Sequence, residues 1–178
     1  ADQQLNNDDF RSQERTFDLL TQVVGRAGRG KYEGTAVIQT CNPENDVIQI
    51  AARQDYEAFF NDEIKTRKML IYPPYCDICL IGFVGENESK VRTASLKLTD
   101  RLKERLVGDY NDLKIIALGP MPARVSKISN KFRYRLILKC KNSKRFRALM
   151  DELLRFTGSD KAFNDVSVYI DINPENII

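Results

Sequence analysis

The chain has 178 residues, 42% of them hydrophobic and 30% charged, with 28 basic against 25 acidic side chains and no histidine. That composition is globular, enough for one domain or for a small domain beside an incomplete one. No run approaches the roughly 18 apolar residues of a membrane helix, and the opening ADQQLNNDDF lacks a basic segment followed by an apolar one, so a cytoplasmic chain with no membrane partner is expected.

The elements follow in chain order. Phe17, Leu20, Thr21 and Val24 recur at helical spacing and predict a helix over 12–25, ended by Gly25, Gly28 and Gly30. The β-branched run TAVIQT at 35–40 reads as a buried strand closed by Asn42-Pro43. A second helical pattern, continuous or interrupted, covers 46–70, with Tyr56, Phe59, Phe60 and Ile64 on one face. Tyr72-Pro73-Pro74-Tyr75 stops it, because proline lacks an amide donor and disfavours helix in the residue before it. The expected division is therefore 1–54, a helical linker at 55–75, and a second domain at 76–178.

The second domain reads strand, helix, strand, strand, helix, strand. The expected segments are 78–84, a helix over 89–107 burying Val91, Ala94, Leu98, Leu102 and Leu106, then 114–118 and 132–140. Ser143 is placed to cap a second helix, and Val166, Val168, Ile170 and Ile172 alternate in a last strand. This is a split β-α-β pattern of the ferredoxin-like kind, an α+β fold with two helices on one face of a four-stranded sheet. In KFRYRLILKC, Phe132, Tyr134, Leu136, Leu138 and Cys140 are expected to face the core. Arg133, Arg135, Ile137 and Lys139 are expected on an opposite, largely cationic face.

Charge is distributed unevenly. Residues 1–75 carry 9 Lys/Arg against 12 Asp/Glu, and residues 76–178 carry 19 against 13. Between positions 114 and 147 there are eleven basic residues and no acidic one, a field suited to a polyanion. Arg124, Lys127, Lys131, Arg133, Arg135 and Lys139 are the candidate DNA contacts, directed at phosphates rather than bases. The four cysteines, Cys41, Cys76, Cys79 and Cys140, are too few and too irregular for a disulfide framework. Cys76 and Cys79 have zinc-like spacing, but no second pair or histidine completes four ligands, so no metal site is expected.

Gln22-Val-Val-Gly25-Arg26-Ala-Gly28-Arg29-Gly30 resembles motif VI of superfamily 2 helicases, where two arginines at a helix end face a nucleotide. Planar guanidinium groups match the equatorial oxygens of a transferring phosphoryl group, and an arginine finger contributes roughly 10³ to 10⁵ in rate. The runs around it resemble the PriA family of replication-restart DNA helicases (primosomal protein N-prime). They include Asp9-Phe10-Arg11, Glu14-Arg15-Thr16-Phe17, Val37-Ile38-Gln39-Thr40 with Asn42-Pro43, and Tyr72-Pro73-Pro74-Tyr75. The proline-rich turn Gly119-Pro120-Met121-Pro122-Ala123 and Phe132-Arg133-Tyr134 extend the likeness into the second half.

The resemblance implies that the first part is the end of the second RecA-like helicase lobe, and that the second is a DNA-binding domain similar to ribosomal protein S10. It implies Arg26 and Arg29 as catalytic groups at the ATP γ-phosphate, with Gln22 and Gly25 beside them. ATP and Mg²⁺ would be held with another lobe, since no phosphate loop or Asp-Glu metal motif is present here, and this segment alone is expected not to hydrolyse ATP. The family's zinc-binding cysteines would lie upstream. Implied partners are branched and single-stranded DNA, single-stranded-DNA-binding protein and other primosome proteins. Self-association of an incomplete lobe is a further expectation. Two other readings stay open: a non-enzymatic S10-like or RNA-recognition-like module after an unrelated helical segment, and a ferredoxin-like regulatory domain for a small ligand.

Overall fold

A computed structural model describes residues 2–7, 9–27 and 34–177, which form two compact units, Ala1–Leu70 and Ile71–Ile178. The first contains α1 (Asp2–Leu5), α2 (Ser12–Ala27), α3 (Asp46–Ala52) and α4 (Tyr56–Leu70). Phe17, Leu20, Val47, Ile48, Ala51 and Phe59 make its core, and the Phe17 and Phe59 rings stack with centroids 4.3 Å apart. The segment expected as a linker is thus packed on α2. Arg67 fastens the same pair of helices, reaching Glu14 at 2.6 Å and Glu63 at 2.7 Å.

The helix expected over 12–25 is α2, which continues past Gly25 to Ala27; one interior glycine costs a helix only about 1 kcal/mol against alanine. Two expectations fail in this unit. Residues 34–40 pair with no strand, and Val37 is 88% exposed. A β-branched run needs a neighbouring strand to satisfy its backbone, and the described residues of this unit supply none. On α4 only Phe59 is buried, while Tyr56 and Phe60 are exposed.

The second unit is α+β. It runs β1 (Asp77–Gly85), α5 (Glu88–Val107), β2 (Ile116–Ile128), β3 (Lys131–Cys140), α6 (Lys144–Ser159), a 3₁₀ turn at Lys161–Phe163, and β4 (Val166–Ile172). The strands form an antiparallel sheet in the order β2-β3-β1-β4, the connectivity of the split β-α-β unit. Asn87 and Ser143 cap the two helices, the Ser143 hydroxyl accepting from the Phe146 amide at 3.1 Å. Val91, Ala94, Leu98 and Leu102 from α5 and Phe146, Leu149, Met150 and Leu153 from α6 close over Cys79, Ile81, Phe83, Leu136 and Leu138. Phe132, Tyr134 and Cys140 lie on that helix-covered side, as the alternation of β3 predicts.

Strand β2 is longer than the expected 114–118 and runs through Pro120 and Pro122. It is an edge strand with register shifts against β3 at both prolines, and edges and bulges are where a missing amide is tolerated. Gly119, at φ +107°, occupies the first shift.

The second face of the sheet is also covered at one end, contrary to the expectation of a cationic face. Asn173, at φ +55°, turns the chain after β4 and joins it to β1: its amide donates to the Ile78 carbonyl at 2.7 Å, and the Ile78 amide donates to its side-chain oxygen at 3.0 Å. Beyond it Ile177 is 3% exposed and lines a small cleft with Leu80, Arg135 and Tyr169. The Tyr169 ring lies where a Gly82 side chain would be, so only glycine fits beneath it. Ile78, Leu80 and Ile137 are buried as a result.

Burial pushes the Cys79 and Cys140 thiols up to about 12, whereas Cys41 is exposed. Thiolates are the reactive form. A maleimide applied to the native chain at about pH 8 is expected to label Cys41 quickly and Cys79 and Cys140 only after denaturant is added, read by peptide mass. Rapid native labelling of Cys79 would contradict this core.

Candidate nucleic-acid interface

The interface is built on the β2–β3 hairpin. Accessibility falls along β3, from exposed Lys131 through half-buried residues 132–135 to a fully buried stretch at 136–140. Buried backbone is held by β1 on one side and β2 on the other, so cations on this strand stay in water only near the turn. The six sequence-predicted contacts therefore separate into three environments.

Arg124, Lys127 and Lys131 are exposed at the hairpin end, and Arg133 is half-exposed. Among the described residues no carboxylate lies within ion-pair distance of Lys127, Lys131 or Arg133. The Lys127 ammonium stands 4.6 Å from the Phe132 ring centroid, a cation–π contact that orders its stem and leaves its donors outward. Lys131 lines an open groove of about 420 Å³ with Glu86, Asn87, Lys90, Asp165 and Ser167, where Lys90 is paired to Asp165.

Arg135 is committed elsewhere, donating through Nη1 to the Ile177 carbonyl. Lys139 departs furthest from expectation. It is 8% exposed, with its ammonium 3.6 Å from the centroid of the Tyr72 ring, and burial pushes its pKa down. Strand alternation alone places Lys139 beside Arg133 and Arg135; the aromatic cover of Tyr72, far away in sequence, is what removes it from the surface. No periodicity signals that cover.

The other predicted site lies in the first unit. Gln22 and Arg26 are exposed on the last turns of α2, four residues apart and so on one helix face, with Gly25 between them. Among the described residues no acidic group pairs with Arg26. Arg29 lies outside the described residues. Cys76 and Cys79 do not converge: the Cys76 thiol faces the Ile71 carbonyl at 3.2 Å, and the Cys79 sulfur is 3.9 Å from that of Met150 in the core. Among the described residues no three metal-ligating groups cluster, and no helix is long and apolar enough to cross a membrane.

Comparison with known proteins gives a consistent result. Residues 68–175 match the family model described as the primosomal protein N C-terminal domain. The chain is 36% identical over 174 residues to the replication restart protein PriA of Bacillus subtilis, covering 98% of this chain and 21% of that protein. It is 40% identical over 139 residues to the protein of that name from Synechocystis, covering 78% and 16%, and 35% identical over 173 residues to that from Borreliella burgdorferi, covering 97% and 25%. It thus spans about a fifth of the length of these relatives. A likeness to the de novo designed protein Foldit4, at TM-score 0.38 and 15% identity over 56% of this chain and 98% of that one, is too low to bear on the assignment.

If the exposed rim of Arg124, Lys127, Lys131 and Arg133 neutralises four phosphates, log affinity for DNA falls against log salt with a slope of about −4. Lys127→Glu with Lys131→Glu is expected to weaken binding at low salt and flatten that slope by about 2, measured by fluorescence anisotropy over a salt series. An unchanged slope would count against the rim as the contact.

Proposed function

The chain belongs to the primosomal protein N C-terminal domain family, and from that premise we propose that it is part of an ATP-dependent 3′ to 5′ DNA helicase of replication restart. In this reading residues 1–70 close the second motor lobe, and residues 71–178 hold branched or single-stranded DNA at the fork. The observation that carries the DNA-binding half is the exposed cationic rim of the hairpin, set in a stretch of the chain without a carboxylate. The likeness to PriA relatives extends over 98% of the chain in one case, so it takes in the first unit too, which an isolated nucleic-acid module after an unrelated segment does not explain.

ATP and Mg²⁺ would be held mainly by a lobe outside this chain. The groups here suit the phosphate end: Gln22 and Arg26 are exposed at a helix terminus, and guanidinium is the donor that best matches phosphoryl oxygens. Arg26 and Arg29 would neutralise charge on the γ-phosphate, Gln22 would orient beside them, and Gly25 keeps that face of α2 free of bulk. This segment by itself would lack hydrolysis. Zinc belongs to the upstream part of the whole protein. Single-stranded-DNA-binding protein and other primosome proteins are the partners this role implies.

The full-length protein carrying Arg29→Ala is expected to lose DNA-stimulated ATP hydrolysis by about 10³-fold or more while keeping its affinity for forked DNA. Hydrolysis at the unsubstituted rate would exclude the arginine from the nucleotide site.

A further inference from the structure

Beside its cations, the hairpin end carries two half-exposed apolar side chains. Val125 is 53% exposed and Ile128 is 47% exposed. Single exposed aliphatic residues are ordinary on protein surfaces. These two differ in how they are presented and in what surrounds them.

Their presentation is built into the backbone. Ser129 and Asn130 have φ of +48° and +62°, and Ile128 pairs with Lys131 across them, so the strands are joined by a two-residue turn with both central residues left-handed. That turn fixes Ile128 at the hairpin end. Val125 is held out by a bulge: from Pro122 to Lys127 strand β2 takes five residue steps where β3 takes two, from Tyr134 to Phe132. Ala123 is buried at the start of this bulge and anchors it, and Lys127 closes it by standing over Phe132.

The charged residues beside them in sequence are all cations. Arg124 precedes Val125, Lys127 precedes Ile128, and Lys131 and Arg133 follow the turn, all inside the stretch that holds no acidic residue. An apolar pair edged by cations is complementary to a base step, an apolar stack edged by phosphates. We propose that the β2–β3 hairpin end is an apolar wedge, in which Val125 and Ile128 enter the base stack of duplex DNA at a junction while the adjacent cations hold the flanking phosphates. The inference rests on the nucleic-acid reading above and adds to it a source of structure preference. Unstacking is least costly where a base pair has a neighbour on one side only, so such a wedge favours a fork over a continuous duplex.

The test uses the 178-residue chain and a forked duplex with 2-aminopurine in the last pair before the junction. The unsubstituted chain is expected to raise 2-aminopurine emission about twofold or more as the base unstacks, and Val125→Ser with Ile128→Ser to remove most of that rise. Affinity of the double variant for unbranched duplex should stay within about threefold, because its phosphate contacts are intact. Ile128→Leu should retain the signal, and protection of Cys79 and Cys140 from maleimide reports that each variant is folded. Binding of the fork with no change in emission overturns the wedge alone. So does an unchanged rise in the serine variant, or an equal loss of fork and duplex affinity, which would mark a general contact patch. A chain that binds neither DNA overturns the wedge together with the interface it is built on.

Discussion

The constraint on which the rest of the second unit depends is that β1 and β3, the two central strands, are buried on both faces over half their length. Antiparallel sheets commonly keep one face in water. Here α5 and α6 cover one face, while Tyr169 and the chain after Asn173 close part of the other. A buried leucine or isoleucine gains about 1.5–3 kcal/mol over an exposed one, and Ile78, Leu80 and Ile137 draw that gain from the second layer. The same cover leaves no room for solvated charge. A strand written KFRYRLILK must then hold its cations in water at the end near the turn, and Lys139, at the other end, needs an aromatic partner. A cation–π contact offsets part of the cost of burying an ammonium, and burial keeps the pKa of Lys139 lowered.

The charge asymmetry of the sequence thereby becomes a spatial one. A stretch with no carboxylate is folded so that its hairpin end carries exposed cations, and this end also lies on the edge strand. An edge with exposed cations resists pairing with another sheet. The arrangement serves solubility and polyanion contact together. In the first unit Gln22 and Arg26 are exposed on the last turns of α2, whose first half is held by the stacked Phe17 and Phe59 rings and the Arg67–Glu14 ion pair.

Much of this was legible from the sequence because it is local. The helices of the second unit followed from Val91, Ala94, Leu98 and Leu102 at 3.6 spacing and from Ser143 as a cap, and β3 and β4 from strict alternation. What was not legible depends on partners distant in the chain. TAVIQT has strand propensity but no strand to pair with. Ile137 and Lys139 alternate onto the open face and are covered there by residues from either side of the sheet in sequence. The length of β2 was hidden by prolines, which read as a turn until the strand is known to lie at an edge. Of the six cations, Arg124, Lys127 and Lys131 are exposed, Arg133 and Arg135 are half-buried with Arg135 bonded to the Ile177 carbonyl, and Lys139 is buried.

Lysine footprinting asks whether accessibility along β3 decides which cations meet DNA. The chain is acetylated with and without forked DNA and the modified lysines are identified by mass. Lys127 and Lys131 are expected to label readily alone and to be protected by DNA, and Lys139 to label in neither state until the chain is unfolded. Ready labelling of Lys139 in the free chain, or no protection of Lys127 and Lys131 by DNA, would contradict it.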